Sequence, residues 1–351
     1  MPKPKPIPPK KSNLRLWSAV LILVGLCAAM RPTTRYLCDL RFQENLDSGD
    51  LTTARRWLDS QKPWGLSEAD WHLKMAKLQR TGGDWTAWQS SITAAKEQDA
   101  PLEAIAHEQQ FMRLSQARPQ DLQQIDSFFS YQNVPLPEIY ATILPGVLSQ
   151  GRFDLADSLL SQWFVSQPHS ASAHYWSALR AELQGDVLAT KSELTAALEA
   201  SPLHALARRA SARLALSADK LNEAHQFYWV LAYRDSDVSG YAGLAEVLRR
   251  SGAYQAAKQV IETCPSDHAG SMEIVVQKGL LAAELGDYQQ AEQCLEAVLA
   301  NDQRLSEEAE SGLAVSLHLS GADDKAQQLL KRVAEETQRS HEEKEDTFRQ
   351  D

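Results

Sequence analysis

The sequence predicts an all-α chain folded as a solenoid of antiparallel helix pairs, and three observations predict it. Alternating runs of Val, Ile and Thr are missing, while Ala, Leu, Gln and Glu are abundant, a composition that favours helix almost throughout. A turn centred on glycine recurs with a spacing near 34 residues over much of the chain. A small residue follows most of these turns at a fixed offset, as expected where two helix backbones approach closely.

The clearest unit is Met272 to Gln303, MEIVVQKGLLAAELGDYQQAEQCLEAVLANDQ, which reads as two short helices joined at Gly286-Asp287. Val275, Gly279 and Ala282 face inward from the first helix; Tyr288, Ala291, Leu295 and Val298 do so from the second. The same offset places Gly49 before Ala54, Gly83 before Trp88, Gly151 before Ala156, Gly252 before Ala257 and Gly321 before Ala326. Gly185-Asp186-Val187 continues the series, and Asp219-Lys220-Leu221 follows with Ala224 and Tyr228. Leu102 to Tyr131 fits only as a degenerate pair, with Arg118-Pro119 at the turn.

This pattern resembles the tetratricopeptide repeat (TPR) family, whose helix pairs cannot bury their apolar faces alone and stack on their neighbours. About nine pairs are expected. The domain reading is a basic Pro/Lys-rich tail (1–13), an apolar anchor or signal peptide (14–31), an irregular Trp-rich TPR-like region (36–136), a regular TPR array (137–337) and a charged tail (338–351). Gly151, Ala156, Gly185, Ala224, Gly252, Ala257, Gly279, Gly286, Tyr288, Ala291, Gly321 and Ala326 are assigned to packing and turns.

Charge is unevenly placed. The protein of 351 residues carries a formal −10, yet its first 31 residues hold Lys3, Lys5, Lys10, Lys11, Arg15 and Arg31 and no acid. The remaining 30 basic residues face all 46 acids, a balance of −16. An acidic body lacks the clustered Lys and Arg that phosphate binding needs, so no nucleic-acid partner is expected.

Leu16 to Met30, LWSAVLILVGLCAAM, is an uncharged apolar run between Arg15 and Arg31. As a helix it rises about 22 Å against a hydrocarbon core of about 30 Å. An uncleaved anchor is preferred to a signal peptide, because Trp17 suits an interface and Arg31-Pro32 is a poor mature start. The positive-inside rule then predicts a single-pass inner-membrane protein with its N-terminus in the cytoplasm and the array outside it.

Two features depart from the repeat pattern. Pro145-Gly146 falls inside a first helix and predicts a bend or a shortened helix. Trp57, Trp64, Trp71, Trp85 and Trp88 crowd the N-terminal half, either as packing of irregular helices or as an aromatic docking patch.

The TPR resemblance implies a concave groove lined by the first helices and holding a peptide. Carried onto this sequence it assigns Tyr175 and Trp176 with Glu182, then Arg209 and Arg213, then Glu246, Arg249 and Arg250, then Glu273, Gln277 and Glu284. Arginines suit carboxylates and aromatic faces suit apolar or proline side chains, so an acidic peptide or a polypeptide C-terminus is the expected ligand, unless these arginines pair with neighbouring acids.

No HExxH, GxSxG or GxxxxGK[ST] motif occurs, and Cys27, Cys38, Cys264 and Cys294 have no zinc-like spacing. His169 and His174 lie near each other but have no evident carboxylate companion at metal-ligand spacing. The expectation is a non-enzymatic, membrane-anchored scaffold or adaptor in envelope complex assembly, with protein or peptide partners and no metal, cofactor or small-molecule substrate. The alternatives are an accessory subunit of a secretion or polysaccharide-synthesis complex, and an organelle-surface receptor facing the cytosol.

Overall fold

The computed structural model describes residues 32–115, 136–299, 307–319, 321–329 and 331. The chain divides into two compact units, Met1–Val165 and Ser166–Asp351. Among the described residues every regular element is helical.

The first unit contains α1 (32–48), α2 (Leu51–Asp59), a 3-10 turn (Lys62–Trp64), α3 (Glu68–Thr81), α4 (Trp85–Glu97), α5 (Leu102–Ser115), α6 (Leu136–Ser149) and α7 (Phe153–Ser166). The second unit contains five pairs: α8 (Ala171–Leu183) with α9 (Val187–Ala200), α10 (Ala205–Ser217) with α11 (Leu221–Tyr233), α12 (Val238–Arg250) with α13 (Tyr254–Thr263), α14 (Met272–Glu284) with α15 (Tyr288–Leu299), and α16 (Glu307–Leu319) with α17 (323–329). The degenerate turn at Arg118-Pro119, Cys27 and both tails lie outside the described residues.

The turns fold as their chemistry requires. All eight positions aligned in the sequence have positive φ: Gly49, Gly83, Gly151, Gly185, Gly252, Gly286 and Gly321 lie between 67° and 86°, and Asp219 is at 56°. At Gly185 the N–H donates to the carbonyl of Glu182 at 2.9 Å and the next N–H, of Asp186, to that of Ala181 at 3.0 Å. This pair of bonds ends one helix and lets the backbone reverse. The residue after the glycine then caps the next helix, which begins one position later. Asp50, Asp84, Asp186 and Asp287 each accept a backbone N–H three residues on, at 2.9 to 3.1 Å, the bond that N-capping requires.

In the second unit the first helices form one layer and the second helices another. Successive first helices, α8, α10, α12, α14 and α16, touch one another, whereas no contact of comparable extent joins successive second helices among the described residues. The first helices therefore form the inner, more crowded layer. The core of this unit runs through Tyr228, Leu231, Leu244 and Ile274, then through Leu280, Leu295, Val298 and Leu313.

Two readings are corrected. Of the bend or shortened helix expected at Pro145-Gly146, the shortening does not occur: the helix Leu136–Ser149 continues through Pro145, and Ile143, Leu144, Val147 and Leu148 are buried around it. The single-pass topology is not upheld: among the described residues no helix is long and apolar enough to cross a membrane. The apolar run at 14–31 lies outside the described residues.

Candidate functional site

The inner layer of the second unit is bridged step by step by arginines. Between α8 and α10, Arg213 donates through Nη2 to both carboxylate oxygens of Glu182, each at 3.0 Å. From α10 to α12, Arg209 pairs with Asp237, the residue that caps α12 by accepting the N–H of Ser239. From α12 to α14, Arg249 reaches Glu284 Oε1 at 3.6 Å. Arg250 turns back to Asp219 at 2.8 Å and to Glu246 at 3.9 Å. Partner separations of roughly one repeat make each interhelical bond a link between neighbouring helix pairs.

The arginines predicted to meet a ligand are thus engaged within the protein. They differ in exposure, which decides what each has left to offer. Arg213 is 55 % exposed and retains donors facing solvent, while Arg249 is buried at 5 % and belongs to the interior. Buried Arg208 pairs with buried Asp235 just beneath this layer, a bond that no local sequence pattern announces.

Tyr175 and Trp176 are both half-buried on α8, with ring centroids 5.1 Å apart and planes at 66°, an edge-to-face contact. Burial pushes the Tyr175 hydroxyl up, with Arg213 and Arg209 opposing and Glu182 adding, so the aromatic pair and the arginine bridges share one neighbourhood. Tyr228 enters the same region from the outer layer. Burial raises its hydroxyl to about 12, Glu246 adds, and Arg213 and Arg209 oppose.

One arrangement mimics a catalytic pair. Ser172 Oγ lies 3.1 Å from His204 Nε2, the distance of a hydroxyl activated by an imidazole. The backbone closes that route. His204 is the N-cap of α10, and Ala207 donates its N–H to Nδ1 at 3.2 Å, so the neutral ring carries its proton on Nε2 and donates it to Ser172. Burial, with Arg208 adding to it, lowers the ring to about 4. This histidine caps a helix and is not a general base.

The residues assigned to packing lie where close approach demands small size. Ala156, Ala224, Ala257 and Ala291 are fully buried, and Ala326 nearly so. A Cβ on Gly279 would sit 2.8 Å from Leu295 Cγ, which shows how closely α14 and α15 pack. Tyr288 opens α15 after its turn and is half-buried.

The tryptophans of the first unit are largely structural. Trp88 is buried and donates Nε1–H to Glu108 Oε1 at 3.2 Å; Trp71 donates to Asp59 at 3.0 Å under the Lys62 ammonium. Trp64 and Trp85 are 38 % exposed. Nothing near Trp88 in the sequence marks what surrounds it. Arg80 bonds Glu108 at 2.7 Å, Glu138 at 3.3 Å and Thr142 at 3.2 Å, and Lys77 bonds Glu138 at 2.8 Å. These groups cross-link α3, α5 and α6 through a largely buried polar network.

His174 bonds Glu193 on α9 at 2.8 Å. No cluster suited to a metal ion occurs among the described residues. Cys38, Cys264 and Cys294 are free thiols, and burial pushes the last two up, away from the reactive thiolate form.

No family model matches this protein, and no curated protein matches it. Solved structures do. The Cut9–Hcn1 hetero-tetramer of APC/C aligns over 80 % of this chain and 59 % of that one, at 15 % identity and a TM-score of 0.50. A tetratricopeptide repeat protein from Parabacteroides merdae aligns over 81 % and 99 %, at 14 % identity and a TM-score of 0.42. Pseudomonas aeruginosa pilF aligns over 55 % and 90 %, at 17 % identity and 0.48. Such identities speak to fold alone, and the array of helix pairs is TPR-like.

Proposed function

We propose that the protein is a non-catalytic scaffold whose inner layer in the second unit captures a peptide segment of a protein partner. The observation that carries this reading is the half-buried aromatic pair Tyr175–Trp176 beside the solvent-facing Arg213–Glu182 bridge. An edge-to-face pair offers apolar surface for a side chain, and the bridge beside it offers both a donor and an acceptor for a peptide backbone. Tyr175, Trp176, Arg209, Arg213, Glu246 and Arg250 form the proposed contact surface. Arg249 supports it from the interior. Because each arginine already holds a carboxylate, the ligand competes for these donors, which favours an extended segment with mixed polarity over a strongly acidic one.

The test uses the full-length protein with a photo-crosslinking amino acid at Trp176 and, separately, at Lys258 on the outer helix α13. A discrete protein adduct at position 176, absent at 258 and lost on Tyr175→Ala, is the expected outcome. Equal labelling at both positions would remove the inner layer from consideration.

A further inference from the structure

The second unit has another recess, on its outer side. Between α9 and α11, with α10 as floor, lies an open cavity of about 360 Å³. Its walls are apolar: Val187, Leu194 and Leu198 from α9, Leu214 from α10 and Phe227 from α11. Val187 is 60 % exposed, and its neighbour Leu188 is 83 % exposed, so apolar surface extends beyond the recess at the start of α9. From Val187 to Leu198 the wall follows α9 for about 16 Å, three helical turns.

The charges on its rim are ordered. Lys191 stands near the N-terminal end of α9 and Lys220 at the N-cap of α11, so both mark the same end of the recess. Neither forms an ion pair among the described residues. Lys220 supplies no side-chain bond to cap α11, which leaves backbone N–H groups facing this end. Glu223, in the first turn of α11, offsets part of that positive field. Glu199 lies at the opposite end, near the C-terminus of α9.

We propose that this recess is a second interaction surface, and that it receives one amphipathic α-helix of a protein partner, laid antiparallel to α9 and α11. The polarity selects the direction. A helix whose C-terminal end points toward Lys191 and Lys220, and whose N-terminal end points toward Glu199, matches its dipole to the rim at both ends. Apolar side chains at positions i, i+3 or i+4, and i+7 fill three turns of wall, and Asp or Glu in the last turn meets the lysines. This surface is independent of the inner layer.

A random 14-residue phage library panned on the full-length protein supplies the probes, which are then synthesised and measured by fluorescence anisotropy. Thr195→Glu places a carboxylate on the wall, and the Lys191→Glu/Lys220→Glu pair reverses one end; all three positions are exposed, and circular dichroism reports that the variants fold. The expected result is a class of peptides with helical apolar spacing and acids in the last turn, whose affinity falls about tenfold or more in both variants and is unchanged by Tyr175→Ala. The proposal is overturned if no selected peptide is sensitive to Thr195→Glu, or if the sensitive ones lack helical spacing or carry their acids at the other end.

Discussion

Tyr228 occupies the space that a side chain on Gly243 would need: a Cβ built there lies 2.2 Å from the tyrosine ring. The ring comes from the outer helix α11 and packs into the notch left in α12. It cannot swing aside, because Leu231, Leu244 and Val260 fill the same cluster. Gly243→Ala is therefore expected to destabilise the second unit by about 1–3 kcal/mol or more, the cost of overpacking a closed core. Gly279→Ala is expected to cost less, since its Cβ would meet Leu295 Cγ at 2.8 Å, Cδ2 at 2.9 Å and Cys294 Cβ at 3.1 Å, a shallower overlap than the 2.2 Å at Gly243. Thermal denaturation followed by circular dichroism compares the two; a Gly279→Ala loss as large as that of Gly243→Ala would refute the distinction.

Glu108 neutralises a buried arginine. Both its oxygens face Arg80, whose side chain is only 4 % exposed, and Oε1 also accepts the Trp88 N–H. Glu108→Ala strands that charge, and breaking such a pair costs about 3–5 kcal/mol. The value should fall at the lower end because Glu138 and Thr142 still hold the guanidinium. Denaturant titration of the variant checks this, and a loss below about 1 kcal/mol would show that the network is not what joins α3, α5 and α6.

That contrast shows what was legible in the sequence. Every aligned turn could be read, because a requirement for positive φ selects glycine within a few residues of known spacing, and even Asp219 was found by its place in the series. The aspartates that follow the glycines were in plain view as Gly-Asp pairs, yet their capping role emerges only when Asp84 is seen to accept the N–H of Ala87. The Arg80 network was not legible, since its partners lie 28 to 62 residues away and nothing local marks them. The arginine groove was half legible. The TPR resemblance assigns Arg209 and Arg213 to a first helix, and α10 carries both, but a linear pattern does not reveal that they pair with Asp237 and Glu182.

At Asp219 the backbone holds a non-glycine residue at φ 56° where its counterparts use glycine. Aspartate tolerates this region better than most residues, and its carboxylate also accepts a bond from Arg250 at 2.8 Å. Asp219→Gly should be neutral within about 1 kcal/mol, as relief of strain offsets the lost bond and the added freedom of the unfolded state. Asp219→Val should cost about 1–3 kcal/mol, because a β-branched side chain is strained at that φ. Chemical denaturation distinguishes them, and equal stability of the two variants would contradict the strain argument.

His204 makes stability depend on acid. Its folded value of about 4 lies below the ordinary 6.5, so between those limits the unfolded protein binds the extra proton and the folded protein does not. Stability from this group is therefore complete above about pH 6.5 and is lost as pH falls toward 4, by roughly 3 kcal/mol in all. His204→Asn keeps an N-cap acceptor for α10 and has no proton to gain. The difference in stability between about pH 7.5 and about pH 4.5 should shrink in the variant; an identical pH profile would mean that other groups govern the acid transition.

Reversing Arg209 and reversing Arg213 are different experiments. Arg213 and Glu182 are both well exposed, 55 % and 41 %, and a solvent-screened pair of this kind contributes about 0–1 kcal/mol. Arg209 is less exposed, and its partner Asp237 is only 14 % exposed while also capping α12. Arg209→Glu sets a second carboxylate against that cap and should lower stability measurably, so any lost binding would be confounded with damage to the helix. Arg213→Glu should leave the melting transition within about 2 °C of the parent while removing the donor that faces solvent beside Tyr175. If the Trp176 adduct survives Arg213→Glu in full, the donor contributes nothing to capture and the aromatic pair alone defines the contact.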